Sequence, residues 1–249
     1  MVSSIKERRT RILLTLYLLE KERPHSISEK NIKTIFSLPT ESPRFRGTIR
    51  QMLADEVIVK HTESTYQITE KGIEELALYF PFVRFTTFSW DGLYRIITYE
   101  IPEKKRKLRD SLRREISGWG LGPWHRSFWL TPHPVTSALQ NLVKNSDYQD
   151  FVQAFEGKPV VGDLKILMEK VWNISVIEKK YRHTFKLWHE FLSEPGLSRE
   201  GKMKKIVNQY IEILKIDPGL PRELVGPTWI GNEAWDIFQE MRKILVPNS

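Results

Sequence analysis

The hydrophobic period changes twice between residues 43 and 79, and this succession restricts the possible folds more than any other feature of the chain. Phe45, Ile49, Met52 and Leu53 recur at helical spacing, so the segment predicts a helix with one buried stripe. Ser42 and Pro43 mark its start: the hydroxyl can accept from a first-turn amide that lacks a helical partner, and proline at the first position gives up no hydrogen bond. The period breaks at Asp55 and Glu56. Residues 57–60 and 65–69 are then β-branched or aromatic runs around a polar stretch at 61–64, which predicts a hairpin. Beyond Thr69, Ile73, Leu76, Ala77 and Tyr79 return to helical spacing as a closing helix.

Two more helices are expected upstream. Ile12, Leu13, Leu16, Tyr17 and Leu19 form a stripe that ends before Pro24, and Ser28 caps a second helix with Ile32, Ile35 and Phe36 inward. The order helix, helix, helix, hairpin, helix resembles a winged helix-turn-helix, in which a supported helix enters the major groove of DNA. Spacing leaves Arg44, Arg46, Thr48, Arg50 and Gln51 on the outer face of the third helix with no acid among them. Arginine can read guanine and glutamine adenine in that groove, so these five are the expected DNA-contacting residues. Lys60, His61, Ser64 and Thr65 sit where a wing would reach phosphate or the minor groove.

Composition agrees with this reading without compelling it. Thirty-nine basic against 31 acidic residues give a formal net charge of +8, which favours a polyanionic partner. The chain has no cysteine, which excludes disulfides, thiolate metal sites and cysteine nucleophiles. No run has the apolar length of a membrane span, and residues 1–10 are polar and charged, so a soluble cytoplasmic protein without membrane contact is expected.

Past an aromatic connector at 81–90, residues 94–101 have the alternation of a strand, and Pro102 stops it. Residues 103–117 follow as a helix with Leu108, Leu112 and Ile116 inward and Lys104, Lys105, Arg106, Lys107, Arg109, Arg113 and Arg114 on its surface. Short strands at 123–126 and 127–131, a helix at 135–143 and a strand at 151–155 complete the order βαββαβ, a ferredoxin-like sandwich. From residue 163 the pattern is helical to the end. The expected fold is therefore α+β: a winged helix-turn-helix at 1–80, the connector at 81–90, a ferredoxin-like domain at 91–160 and a helical domain at 161–249.

Three separated segments carry a resemblance to a known family. They are Trp90 to Pro102 (WDGLYRIITYEIP), Leu108 to Arg114 with Gly118 to Pro123 and Phe128 to His133, and Asp217 to Leu224 (DPGLPREL) with Trp229 to Ala234. In this order they resemble the PaaX family of bacterial transcriptional repressors. The resemblance implies a homodimer on a palindromic double-stranded DNA operator, released by a small effector, an acyl-CoA such as phenylacetyl-CoA. A ligand pocket would draw on Trp119, Trp124, His125, Arg126, Trp129, Tyr181 and Trp188, aromatic and polar side chains of the central and C-terminal parts.

The central domain also looks like the small ferredoxin-fold subunit of CRISPR adaptation, and a rival reading is a metal-dependent nuclease centred on Glu100 and Asp91. Against it, a single carboxylate at a strand end is a poor hydrolytic metal site. The six histidines show no ligand spacing, His183 and His189 being off one helical face. With no phosphate loop or nucleophile motif either, the expectation is no enzyme, no catalytic residues, no metal and no cofactor. A third reading is an interaction protein that keeps the fold without recognising an operator.

Overall fold

The computed structural model describes residues 5–19, 27–28, 43–62, 65–87 and 89–245. In chain order its elements are α1 (Ile5–Leu19), β1 (Ile27–Ser28), α2 (Pro43–Ala54), β2 (Ile58–Thr62), β3 (Thr65–Ile68), α3 (Glu70–Tyr79), α4 (Phe82–Thr87), β4 (Tyr94–Tyr99), a 3-10 turn (Glu103–Lys105) and α5 (Arg106–Gly118). There follow β5 (Gly122–His125), β6 (Phe128–Thr131), α6 (Thr136–Val143), β7 (Val152–Gly157), α7 (Leu164–Trp172), α8 (Ile174–Ser193), α9 (Arg199–Leu214), α10 (Arg222–Val225) and α11 (Ile230–Leu245). They divide into two compact units that do not follow chain order. Met1–Ala77, Tyr181–Ile213 and Gly231–Ser249 make the first; Leu78–Lys180 and Leu214–Ile230 make the second.

In the first unit every residue from Ile12 to Leu19 is buried, which corrects the expected single stripe on α1. A helix apolar all round lies in an interior, and here α11 supplies cover that the spacing of α1 does not reveal: the Tyr17 and Trp235 rings lie 5.8 Å apart. Thr15 tolerates the same burial because its hydroxyl donates to the Arg11 carbonyl at 2.7 Å. Trp188 of α8 meets Tyr210 of α9 edge to face at 5.3 Å, and Tyr210 lies 4.8 Å from Phe238 of α11. This aromatic cluster is the core between the C-terminal helices.

The three-stranded sheet of this unit has the order β1-β3-β2, all antiparallel. Ser28, expected to cap a second helix, is the last paired residue of β1, opposite Thr65. The helix itself, with Ile32, Ile35 and Phe36, lies outside the described residues, as does the cap Ser42. Glu56 adopts the left-handed conformation (φ 59°) that turns the chain from α2 into β2. Thr69 then starts α3: its hydroxyl accepts from the Gly72 amide at 3.1 Å and donates to the Glu56 carbonyl at 2.7 Å. Gly72 is required by proximity, because a Cβ there would stand 2.1 Å from the Val57 carbonyl oxygen.

Arg9 joins three of these elements. Its Nε and Nη2 donate to the two Glu75 oxygens of α3 at 2.5 and 2.6 Å, and its Nη1 donates to Asp55 at the end of α2. The guanidinium side chain is 17% exposed, so its charge-assisted bonds are only partly screened. Arg9→Met is expected to lower stability by about 2 kcal/mol, read as an earlier urea midpoint at unchanged slope. A midpoint equal to that of the wild type would show the bridge to be ornamental.

In the second unit β4-α5-β5-β6-α6-β7 realises the expected βαββαβ order, with strands arranged β5-β6-β4-β7 and every pairing antiparallel. Alternation assigns Ile97, Tyr99, Trp129 and Val152 to one face, where they meet Leu112 and Ile116 of α5 and Leu139 of α6. Tyr94 and Leu130 belong to the opposite face and are covered by Met168, Val171 and Trp172 of α7 together with Leu220. Residues 82–87, read from sequence as connector, form α4, with Phe82 and Val83 buried. No helix among the described residues is long and apolar enough to cross a membrane.

Candidate nucleic-acid interface

On α2 the inward residues Phe45, Ile49 and Met52 are almost fully buried, and Arg44, Arg46, Arg50 and Gln51 are exposed, as the period requires. Thr48 is a correction. It is 4% exposed and its hydroxyl donates to the Arg44 carbonyl at 2.9 Å. The cause is angular: residue 48 stands three after Phe45 and four before Met52, within the buried stripe rather than opposite it. Gln51 donates through Nε2 to Asp55 Oδ1 at 2.9 Å. Asp55, held by Arg9 and then by Gln51, has its pKa lowered and stays ionised at the end of the helix. The exposed side chains of Pro43–Ala54 thus include three guanidinium groups and no carboxylate.

The hairpin is longer than sequence suggests, since β2 runs on through His61 and Thr62. Lys60, paired with Tyr66, and His61 are exposed. His61 Nε2 donates to Gln67 Oε1 across the strands at 2.5 Å. Thr65 is turned to its neighbour: its Oγ1 lies 2.8 Å from the Thr62 hydroxyl and accepts from the Thr62 amide at 3.1 Å, which closes the strand ends. Ser64 lies outside the described residues.

The seven expected effector residues are not one cluster. Tyr181 and Trp188 are core residues of the first unit, and Trp119 and Trp129 belong to the helix-covered core of the second. Their aromatic surface is packed in these cores, and none of the four lines the groove that Trp124 and His125 share. Arg126 is exposed at the β5–β6 turn. Trp124 and His125 do line a groove, of about 710 Å³, on the sheet face that α7 leaves partly open. Tyr94, Ile96, Phe128 and Leu167 also line it, and Lys170 stands 4.1 Å over the Trp124 ring. Tyr94 is 2% exposed, and its hydroxyl finds no hydrogen-bond partner among the described residues. Burial pushes that phenol up to about 12. Sequence reasoning treated Tyr94 and Phe128 as strand residues only; the signal that joins them is period-two alternation, once the β4–β6 register is known.

The two carboxylates of the nuclease reading lie at opposite ends of β4, roughly 20 Å apart at the rise of a six-residue strand. Asp91 accepts two bonds from Arg95, at 3.0 and 2.5 Å, which hold its pKa down, and Arg95 is in turn bound to Glu156 at 3.0 Å. Glu100 is exposed with its backbone amide donating to the Phe151 carbonyl. One metal ion cannot take both, and among the described residues no three His, Cys, Asp or Glu side chains converge to hold one.

Comparison with known proteins gives the following. The solved structure of the uncharacterized protein Rv0674 from Mycobacterium tuberculosis superposes with a TM-score of 0.50 over 92% of this chain and 96% of that one, at 15% identity, a likeness of fold alone. No curated protein matches the sequence. The model of the PaaX protein central Cas2-like domain matches residues 87–165, which hold the four-stranded sheet with α5 and α6. The model of the PaaX-like protein C-terminal domain matches residues 172–249, from the end of α7 through α11. With two adjoining matches that together span more than half its length, the chain belongs to the PaaX family.

Proposed function

We propose that this protein is a transcriptional repressor of the PaaX type. Residues 1–80 act as a winged helix-turn-helix, α2 is the recognition helix in the major groove, and the β2–β3 hairpin is the wing. A homodimer sets two such modules on a palindromic operator, so that half-site spacing follows from protein symmetry. The observation that carries the reading is the acid-free outer face of α2, with Arg44, Arg46 and Arg50 exposed above a fully packed inner stripe. Family membership supports transcriptional regulation, and the carboxylate geometry gives nuclease chemistry no support.

Fluorescence anisotropy against the duplex upstream of the protein's own gene, and against a scrambled duplex at near-physiological salt, tests this. Preference for the upstream duplex is expected, and equal affinity for both would overturn the reading. An arginine that grips guanine should cost about 1–3 kcal/mol of binding when replaced by alanine and relax one base position; one on phosphate should weaken all sequences alike.

Release by a small effector uses the groove between Trp124 and Tyr94. Its apolar walls suit the acyl part of an acyl-CoA, and the Tyr94 hydroxyl offers a buried donor to a carbonyl. Phenylacetyl-CoA is expected to lower operator affinity of the wild type, and Tyr94→Phe to need roughly tenfold more of it, the worth of one buried hydrogen bond. An unshifted dose response would remove Tyr94 from the site.

A further inference from the structure

We propose that α5, with the β5–β6 turn, is a second nucleic-acid contact, one that grips the phosphate backbone of duplex DNA without reading its sequence; it rests on the DNA-binding reading above. Residues 103–126 carry eight basic and three acidic side chains, so a surplus of five sits on about a tenth of a chain whose total is +8. The acids are already engaged. Glu103 accepts from Arg109 at 2.6 Å, Asp110 lies 3.6 Å from Arg106, and Glu115 has interactions of its own.

What remains is a band of cations with no carboxylate within ion-pair distance among the described residues: Lys104, Lys105, Lys107, Arg114 and Arg126. Arg113 joins them, because it is held only by neutral acceptors. Its Nε donates to the Tyr99 hydroxyl at 2.7 Å and its Nη2 to the Arg126 carbonyl at 2.9 Å, and the same Tyr99 hydroxyl donates to that carbonyl at 2.8 Å. Tyr99 is 5% exposed. The turn bearing Arg126 is therefore fixed beside α5 by a largely buried anchor while the charges stay outward.

Within the fold only Lys105, whose Nζ stands 4.5 Å over the Phe151 ring, and Arg113 have a structural use among these cations. Like charges three and four residues apart weaken a helix, and this one gains nothing from them without a polyanion. A protein partner would require an aromatic or apolar centre to the interface; none of the exposed large hydrophobic side chains of the described residues lies on α5, and the two that flank the turn, Trp124 and Phe128, line the groove on the opposite face of the sheet. Duplex phosphates need no such centre. The thirteen residues of α5 span about 20 Å, enough to follow several phosphates along a groove edge.

The test is the salt dependence of binding by the full chain, wild type against Lys104→Ala/Lys107→Ala/Arg114→Ala, on the upstream and the scrambled duplex. Each lost phosphate contact reduces the slope of log affinity against log salt by about 0.9, so a reduction of up to about 2.7 is expected, with about a hundredfold weaker binding near 0.15 M salt. Both duplexes should weaken by the same factor, leaving the preference between them intact. Lys107→Glu repeats the measurement with a single exchange should the triple variant melt early. An unchanged slope overturns this contact while the α2 reading stands. A loss confined to one duplex overturns it too, since the surface would then be reading bases. Competition by polyglutamate with an unaltered DNA slope would assign the band to an acidic protein instead. Wild-type protein that binds neither duplex overturns both readings together.

Discussion

Gly219→Ala should lower the melting temperature by roughly 10 °C or more. Gly219 has φ +57°, where an L side chain is strained, and a Cβ there would stand 2.2 Å from the Phe82 nitrogen and 2.3 Å from the Pro81 carbonyl carbon. Both obstacles are backbone, so no rotamer change relieves them. The turn is also held on its other sides. The Gly219 amide donates to buried Asp217 at 2.7 Å, and the preceding Pro218 carbonyl accepts from His133 Nε2 at 2.6 Å. Any shift that admits the methyl group breaks those bonds, and we expect a loss above about 4 kcal/mol. Gly47→Ala is the matched control: nothing lies within 4 Å of its Cβ position on α2, and alanine should stabilise that helix by about 0.5–1 kcal/mol. Calorimetry of the two variants should move in opposite directions; a Gly219→Ala melt within 2 °C of the wild type, as a rough margin, would refute the close-packed turn.

The second large effect is acid destabilisation through His133. Its ring is fully buried and its Nε2–H is committed to the Pro218 carbonyl, so the neutral form is the folded form. Burial, with the charges of Arg84 and Arg95 acting in the same direction, pushes its pKa down to about 3, against the favourable effect of the Pro218 bond. The unfolded chain takes up a proton below its ordinary pKa of about 6.5 that the folded chain refuses. Stability is therefore full above pH 6.5 and falls as the pH drops toward 3, by about 1.4 kcal/mol per unit at the limit and about 3 kcal/mol by pH 4. His133→Gln keeps a side-chain donor but does not titrate. Its stability should be lower at neutral pH and flatter between pH 6.5 and 4; an equally steep profile would place the acid sensitivity elsewhere.

Local patterns were legible where neighbours in sequence are neighbours in space. Phe45, Ile49 and Met52 define the inner stripe of α2, and β4, α5, β5, β6, α6 and β7 fall within a few residues of their expected positions. Misreadings arose where a second layer intervened. Thr48, counted with the outer face, lies by its angle in the stripe, where the helix backbone satisfies its hydroxyl. Trp119, Trp129, Tyr181 and Trp188 carry the residue types of a ligand pocket, but such types serve equally in cores, and only their neighbours in the fold tell the two uses apart.

The sequence by itself determined the order and kind of the elements from β4 to β7, the acid-free arginine face of α2 and the basic band of α5, because period, capping and charge spacing act over a few residues. Tertiary structure alone decided that the Ile12–Leu19 stretch of α1 is covered all round, that residues 214–230 join the unit of the four-stranded sheet, and that Pro218 seals His133. Those outcomes depend on contacts between segments 85 residues or more apart. Which distant surface covers a given face is fixed by burying the most apolar area with every inward polar group satisfied, a condition on the whole chain that no short window contains.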